Sequence, residues 1–225
     1  MSEAPPPRAL SPRAARTRAQ LLHAGREAFA RKGHAGVNLR RDVLEPAGVS
    51  VGSFYHQFGD KTDLLLEILA EHSAAQRERF HEVHRPDRGR TGEDIARSSY
   101  ALAFDAADEH EEVLQILARH RGDEDPRIHR FIEADQARWR RSLAEDYARL
   151  GEVFGFELQV ELAADLIGML AQGAIEQYLA VPRSERPKAR ERLIDGLVAF
   201  TLHGLAGLAP RAPRLVPHAP RKESP

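Results

Sequence analysis

Residues 39–58 read LRRDVLEPAGVSVGSFYHQF, and the way this stretch folds decides the rest of the chain. Asn38, just before it, is an N-cap residue type, and the apolar spacing predicts a short helix from there through Ala47. Gly48 can turn the chain at positive φ without a Cβ penalty, and Ser50 caps a second short helix through about Phe58. Two helices of about eight residues pivoting on a glycine form a helix-turn-helix, with the small Ala47 allowing close crossing. The second helix carries Ser50, Val51, Ser53, Tyr55 and His56 on or near its exposed N-terminal part, while Phe54 and Phe58 suit the core. Hydroxyls and an imidazole at that position match a recognition helix, whose first residues meet base edges. Lys61, opening the next helix, is placed to contact the phosphate backbone, and Arg41 suits a solvated or phosphate-facing charge rather than a base reader.

Outward from this segment nearly everything reads as helix, and the fold class is all-α. Upstream, Leu21, Gly25, Ala28 and Phe29 share a face at helical spacing, with Leu22 beside them and Gly33 as the stop. Downstream, Asp60 caps a helix bearing Leu64, Leu65, Ile68 and Leu69. After a loop at 85–92, helices are expected at about 93–108, 110–121, 126–150, 157–181 and 187–206. No stretch alternates with period two for long enough to form a strand. The domains expected are an N-terminal arm at 1–15, a helix-turn-helix domain at 16–76, a helical domain at 77–209 and a Pro-rich tail at 210–225.

Composition narrows the function. The 225 residues hold 33 Lys and Arg against 34 Asp and Glu, so no overall electrostatic preference exists. Divided at residue 61, however, the chain has ten bases against five acids before the cut and 23 against 29 after it. A basic head on an acidic body is what phosphate binding requires. The absence of cysteine excludes disulfides, thiol catalysis and Cys-based metal sites. His110, His120 and His129 form no i, i+4 ligand pair, and no nucleophile motif or phosphate loop is present, so neither a metal site nor an enzyme is expected. No secretory signal or membrane span is legible, since the apolar segment 196–209 is shorter than the roughly 20 residues a span needs; a soluble, cytoplasmic protein is expected.

Residues 17–69 also resemble the DNA-binding domain of the tetracycline-repressor (TetR) family of bacterial transcriptional regulators. The resemblance rests on TRAQLL followed by AFARKG, then AGVSVGSFYHQF, then DK with DLL, in that order and spacing. It implies a three-helix DNA-binding domain, a long linking fourth helix, a helical effector domain and a homodimer. It also places operator contacts on Arg40, Ser50, Ser53, Tyr55, His56 and Lys61. Three positions depart from the family pattern: Pro46 where a helix former is usual, Leu44 where Ala is common and His34 where an aromatic is common.

In the body, Trp139, Met169 and Gln172, with Tyr100, Phe104, Phe131 and Tyr178, are candidates to line a pocket for a small, largely apolar effector. Leu162, Leu166, Met169, Leu170 and Gly173 on one late helix, and Leu193, Leu197 and Phe200 on the next, are candidates for a two-fold interface. One short helix binds DNA weakly, and a palindrome needs two recognition helices about 34 Å apart. The expectation is therefore a homodimeric, sequence-specific DNA-binding regulator, most simply a repressor released from its operator by a small molecule. The alternatives are a helical protein-interaction module and a regulator without an effector.

Overall fold

The computed structural model describes residues 11–87, 89–120, 125–155 and 159–206. Helix α1 (Pro12–Gly36) starts earlier than expected: Ser11 caps it, its Oγ accepting from the Ala14 amide at 3.3 Å, with proline in the first turn. The boundary expected at residue 15 thus lies inside a helix. Gly33, at φ 66°, breaks the helical path where the sequence placed the stop.

Asn38 caps the next element, accepting from the Arg41 amide at 3.0 Å, and its own amide donates to Asp42 Oδ2 at 2.9 Å. That element, α2, begins as a π-helical turn at Arg40–Leu44 and ends as α-helix at Glu45–Ala47. Pro46 explains the change of pitch. Proline has no N–H to return to the carbonyl four residues back, and its ring crowds that carbonyl. The helix widens instead: the Glu45 amide reaches Arg40 O and the Val49 amide reaches Leu44 O, both five residues back. The wider turn also holds the bulky Leu44, which is buried. Gly48 then reverses the chain at φ 63°.

Helix α3 (Val51–Tyr55) has only five residues, far below what is stable alone. Packing and capping hold it. Phe54 is fully buried and Phe58 nearly so, each contributing about 1.5–3 kcal/mol. Ser50 Oγ accepts from the Ser53 amide at 3.2 Å, and Gln57 Nε2 donates to the Ala14 carbonyl at 3.3 Å. Helix α4 (Lys61–Val83) is capped by Asp60 and runs unbroken past residue 76, so head and body are joined by a rod rather than a linker.

The body comprises α5 (Gly92–Glu109), with a Thr91–Asp94 capping box, α6 (Glu111–His120), α7 (Pro126–Phe154), α8 (Val160–Leu179) and α9 (Arg186–Ala206). Helix α7 passes the break expected at 151 and ends at Gly155. The tail expected at 210–225 lies outside the described residues. Two apolar cores form. One unites α1, α2, α3 and the first half of α4 with Val113, Ile116 and Ile128 of α6 and α7. The other joins α5, α8 and α9 around Phe104, Tyr178, Leu197 and Val198. The head core therefore includes body residues, which sequence patterning did not predict. Among the described residues no helix is long and apolar enough to cross a membrane.

Candidate nucleic-acid interface and interior cavity

On the head, helix α3 presents a small exposed face. Val51 is 51% and Tyr55 58% exposed, large fractions for such side chains, and Gly52 and His56 lie open beside them. The Tyr55 ring meets the edge of Phe54, at 5.3 Å between centroids. Ser50 and Ser53 are engaged with one another, their hydroxyls 2.9 Å apart, so Ser50 serves first as a cap.

The expected basic residues divide three ways. Arg40 is free to reach outward, its side chain 80% exposed and 3.7 Å from Glu45. Arg41 is turned onto Asp42, Nε to Oδ1 at 3.0 Å. Lys61 is partly buried, and its Nζ donates to the carbonyls of His34 at 2.7 Å and Val37 at 3.1 Å. Two of its three N–H groups thus close the end of α1, leaving one for any phosphate.

Asp42, absent from the sequence-based site, is the hub of this region. Its buried carboxylate takes Arg41, the Lys32 ammonium at 2.7 Å and the Asn38 amide, and these hydrogen bonds hold it far below the usual carboxylate range. It locks α1 to the first helix of the pair. Its position one helical turn after the Asn38 cap is the signal that could have identified it.

A second junction ties the head to the body. Arg127, opening α7, donates to Asp60 at 2.8 Å and Asp63 at 3.3 Å, and Thr62 Oγ1 lies 3.5 Å from Asp125. Burial alone would raise the Asp60 carboxyl, but the Arg127 hydrogen bond and charge, with the helix amides, outweigh it and keep the group below its ordinary value.

The body holds a half-open cavity of about 1170 Å³ bordered by α4, α5, α6, α7, α8 and α9. Trp139, Met169 and Gln172 line it as expected, as do Tyr100 and Phe131. Phe104 and Tyr178 do not. They pack edge to face at 4.9 Å inside the α5–α8–α9 core, and the Tyr178 hydroxyl donates to Asp108. These two expected pocket residues are structural. Sequence reading missed Gln76, His72, Phe80 and Tyr147, all on the wall. Their helices were legible, but which face meets the cavity depends on how α4 and α7 cross.

At the far end of α4, Asp146 holds two histidines, accepting from His81 Nδ1 at 2.9 Å and His84 Nδ1 at 3.0 Å. Burial would raise this carboxyl, yet the histidines and Arg149 keep it ionised and low. The other nitrogen of His84 meets Ser99 Oγ at 2.8 Å. Among the described residues no group of three or more His, Cys, Asp or Glu is arranged to hold a metal.

The candidate interface helices also divide. Leu162, Leu166, Met169 and Gly173 form an exposed stripe along α8, with Phe200 exposed on α9. A Cβ added at Gly168, Gly173 or Gly196 would meet nothing within 4 Å in the single chain. Leu170 and Leu193 are half-buried. Leu197 is 8% exposed within its own core, so its assignment to the interface is corrected: it faces inward.

A capped short-helix pair on an all-α head, carried by one long helix into a hollow helical body, defines the helix-turn-helix regulator class. Residues 21–68 match the family of bacterial regulatory proteins, tetR family. That match covers the helix-turn-helix head, from α1 into α4. It is 37% identical over 62 residues to the HTH-type transcriptional repressor AcnR of Corynebacterium glutamicum, a match covering 28% of this chain and 32% of AcnR. The chain thus spans about a third of the curated relatives it matches. In fold it is similar to a TetR-family transcriptional regulator of Syntrophomonas wolfei, with TM-score 0.71 and 18% identity over 88% of this chain and 99% of that one. It is also similar to FadR of Bacillus subtilis, solved with stearoyl-CoA, with TM-score 0.69 and 15% identity over 83% of this chain and 98% of that one.

Proposed function

We propose that this protein is a homodimeric, sequence-specific DNA-binding repressor whose hold on its operator is weakened by a small molecule bound in the body. The observation that carries the DNA reading is the open Val51–Tyr55–His56 face on a helix too short to exist without the core that anchors it. Such a helix presents its exposed side chains rigidly, as groove reading requires. In this reading Val51, Tyr55 and His56 meet base edges, Arg40 and the spare N–H of Lys61 hold phosphates, and Ser50 and Ser53 contribute as far as their capping bond allows. Dimerisation uses the exposed stripe Leu162, Leu166, Met169 and Gly173 with Phe200. This apolar strip is exposed among the described residues, and a two-fold pairing along it would supply the second head that a palindrome needs.

The effector reading is supported by the cavity and by its shared wall, because α4 carries cavity residues along its second half and the Asp60–Lys61 junction at its start. A ligand that binds one inclination of α4 better than another shifts the population of DNA-competent dimers, with a coupling typically of 1–3 kcal/mol.

Titration of a random duplex with salt tests the primary claim. Affinity should fall steeply, with log K linear in log salt. A flat profile, or no binding at low salt, refutes DNA binding and favours a protein-interaction module.

A further inference from the structure

The cavity contains a buried acceptor atom with no hydrogen-bond partner among the described residues. Gln76 on α4 is 4% exposed, lines the cavity, and its Oε1 accepts no hydrogen bond. Buried acceptors are almost always paired, because leaving one unmade forfeits its hydration without return. Its surroundings fix where it lies. Ser73, one turn before it, accepts from Trp139 Nε1 at 2.9 Å, and Phe80, one turn after it, packs against the Trp139 ring at 5.4 Å. Positions three and four apart share a helix face, so the carboxamide sits beside the indole.

The charged groups on the same wall are met by protein groups, the exposed Glu176 among them, which accepts from Gln172 Nε2 at 3.2 Å. Asp135 takes Ser73 Oγ at 2.6 Å, Arg77 at 2.9 Å and Arg138 at 3.0 Å. Glu111 is held by Arg183 at 2.9 Å and Arg186 at 3.1 Å, and Arg140 lies 3.6 Å from Asp165. His72 is kept neutral, its pKa lowered to about 4 by burial first and then by the positive surroundings of His110 and Arg26. A charged ligand group would lose its hydration here and find no counter-ion.

We infer that the effector is an uncharged, mostly apolar molecule, and that it donates one N–H or O–H hydrogen bond to Gln76 Oε1 beside Trp139. This rests on the effector reading above and makes Gln76 a specificity-determining residue.

Trp139 is the only tryptophan in the chain, so its emission reports the site directly. The test uses the full-length dimer and four probes on one scaffold: 4-octylphenol, its methyl ether, 4-octylbenzoate and 4-octylanilinium. The phenol should quench Trp139 and raise Tm, binding about five- to tenfold more tightly than the ether, as expected of one neutral hydrogen bond. The two ions should bind most weakly. Gln76→Leu should bind phenol and ether equally, and its unliganded form should melt no lower than the wild type, because the unpaired acceptor is gone. Equal binding of phenol and ether to the wild type, an unchanged preference in Gln76→Leu, or tighter binding of either ion overturns the inference while leaving the cavity as an effector site. If none of the four alters Trp139 emission or Tm, both this inference and the effector reading fall. If the phenol binds with the expected preference but leaves duplex affinity unchanged, the donor assignment stands and the effector reading falls.

Discussion

Tyr55→Ala and Arg40→Ala should damage DNA binding in different ways. Both side chains project from the head, Tyr55 being 58% exposed and the Arg40 side chain 80% exposed. Neither change should unfold the domain. Tyr55 loses its edge contact with Phe54, about 1 kcal/mol at most, and Arg40 loses a loose approach to Glu45 at 3.7 Å. On DNA, a base-edge contact is worth about 1–3 kcal/mol, and a two-fold dimer makes it twice. Tyr55→Ala should therefore cost about 2–6 kcal/mol, roughly 30-fold to 10⁴-fold in affinity for a selected operator. It should cost far less on a scrambled duplex and leave the salt slope unchanged. Arg40→Ala should weaken both duplexes together and flatten log K against log salt by about 0.9 per lost phosphate contact, or about 2 per dimer. The assay is fluorescence anisotropy at several salt concentrations, with an operator recovered by selection from a random library and melting curves to certify folding. If Tyr55→Ala weakens operator and scrambled duplex equally, or changes the slope as Arg40→Ala should, the face assigned to base reading is wrong.

Three other outcomes follow from the packing. Leu166→Arg, on the open stripe of α8, should give monomers by sedimentation, whereas Leu197→Ala, in the interior, should leave association intact and lower stability by about 2–5 kcal/mol; a normal Leu166→Arg dimer removes the proposed interface. Gly25→Ala would place a Cβ 2.9 Å from Ile68 and 3.0 Å from Leu64, an overpacking cost of about 1–3 kcal/mol set against roughly 1 kcal/mol of helix propensity, so a clear rise in Tm would contradict the tight α1–α4 crossing. Arg127→Ala should cost no more than about 1 kcal/mol at neutral pH, since the pairs are half-exposed. The folded Asp60 carboxyl is lowered, so its contribution is present above the unfolded value near 3.9 and disappears as pH falls through the folded value. Wild type and variant should converge in strong acid, and a gap that persists there rules out this pairing as its source.

The helix ends were legible because the residues that make them act locally. Asn38, Ser50 and Asp60 cap as side chains within three residues of the amides they serve, and Gly33 and Gly48 break the helix through their own backbone angles. Pro46 was recognisable as a disturbance, but its resolution as a π-turn depended on room for Leu44 in the core. Side-chain direction was harder to read. Lys61 is a surface type in sequence, yet the carbonyls of His34 and Val37 at the end of α1 draw it inward. Phe104 and Tyr178 looked as suited to a cavity as Trp139 did. Only the crossing of α5, α8 and α9 closes over them, while α4 and α7 splay enough to leave Trp139 and Gln76 at an internal surface.

The unbroken course of α4 has a geometric consequence. Its 23 residues, at 1.5 Å each, make an arm about 35 Å long. One end carries the Asp146 contacts to His81 and His84, and the other, capped by Asp60, carries the head; if the first served as the pivot, the second would be the moving end. A tilt of roughly 5° about that pivot would shift the head end by about 3 Å, close to the 3.4 Å rise of one base pair. In a two-fold assembly both arms swing, so the separation of the two heads can change by nearly two base-pair steps. In the proposed repressor, a rearrangement at the cavity wall no larger than a rotamer change would thus be geared up to the natural unit of DNA.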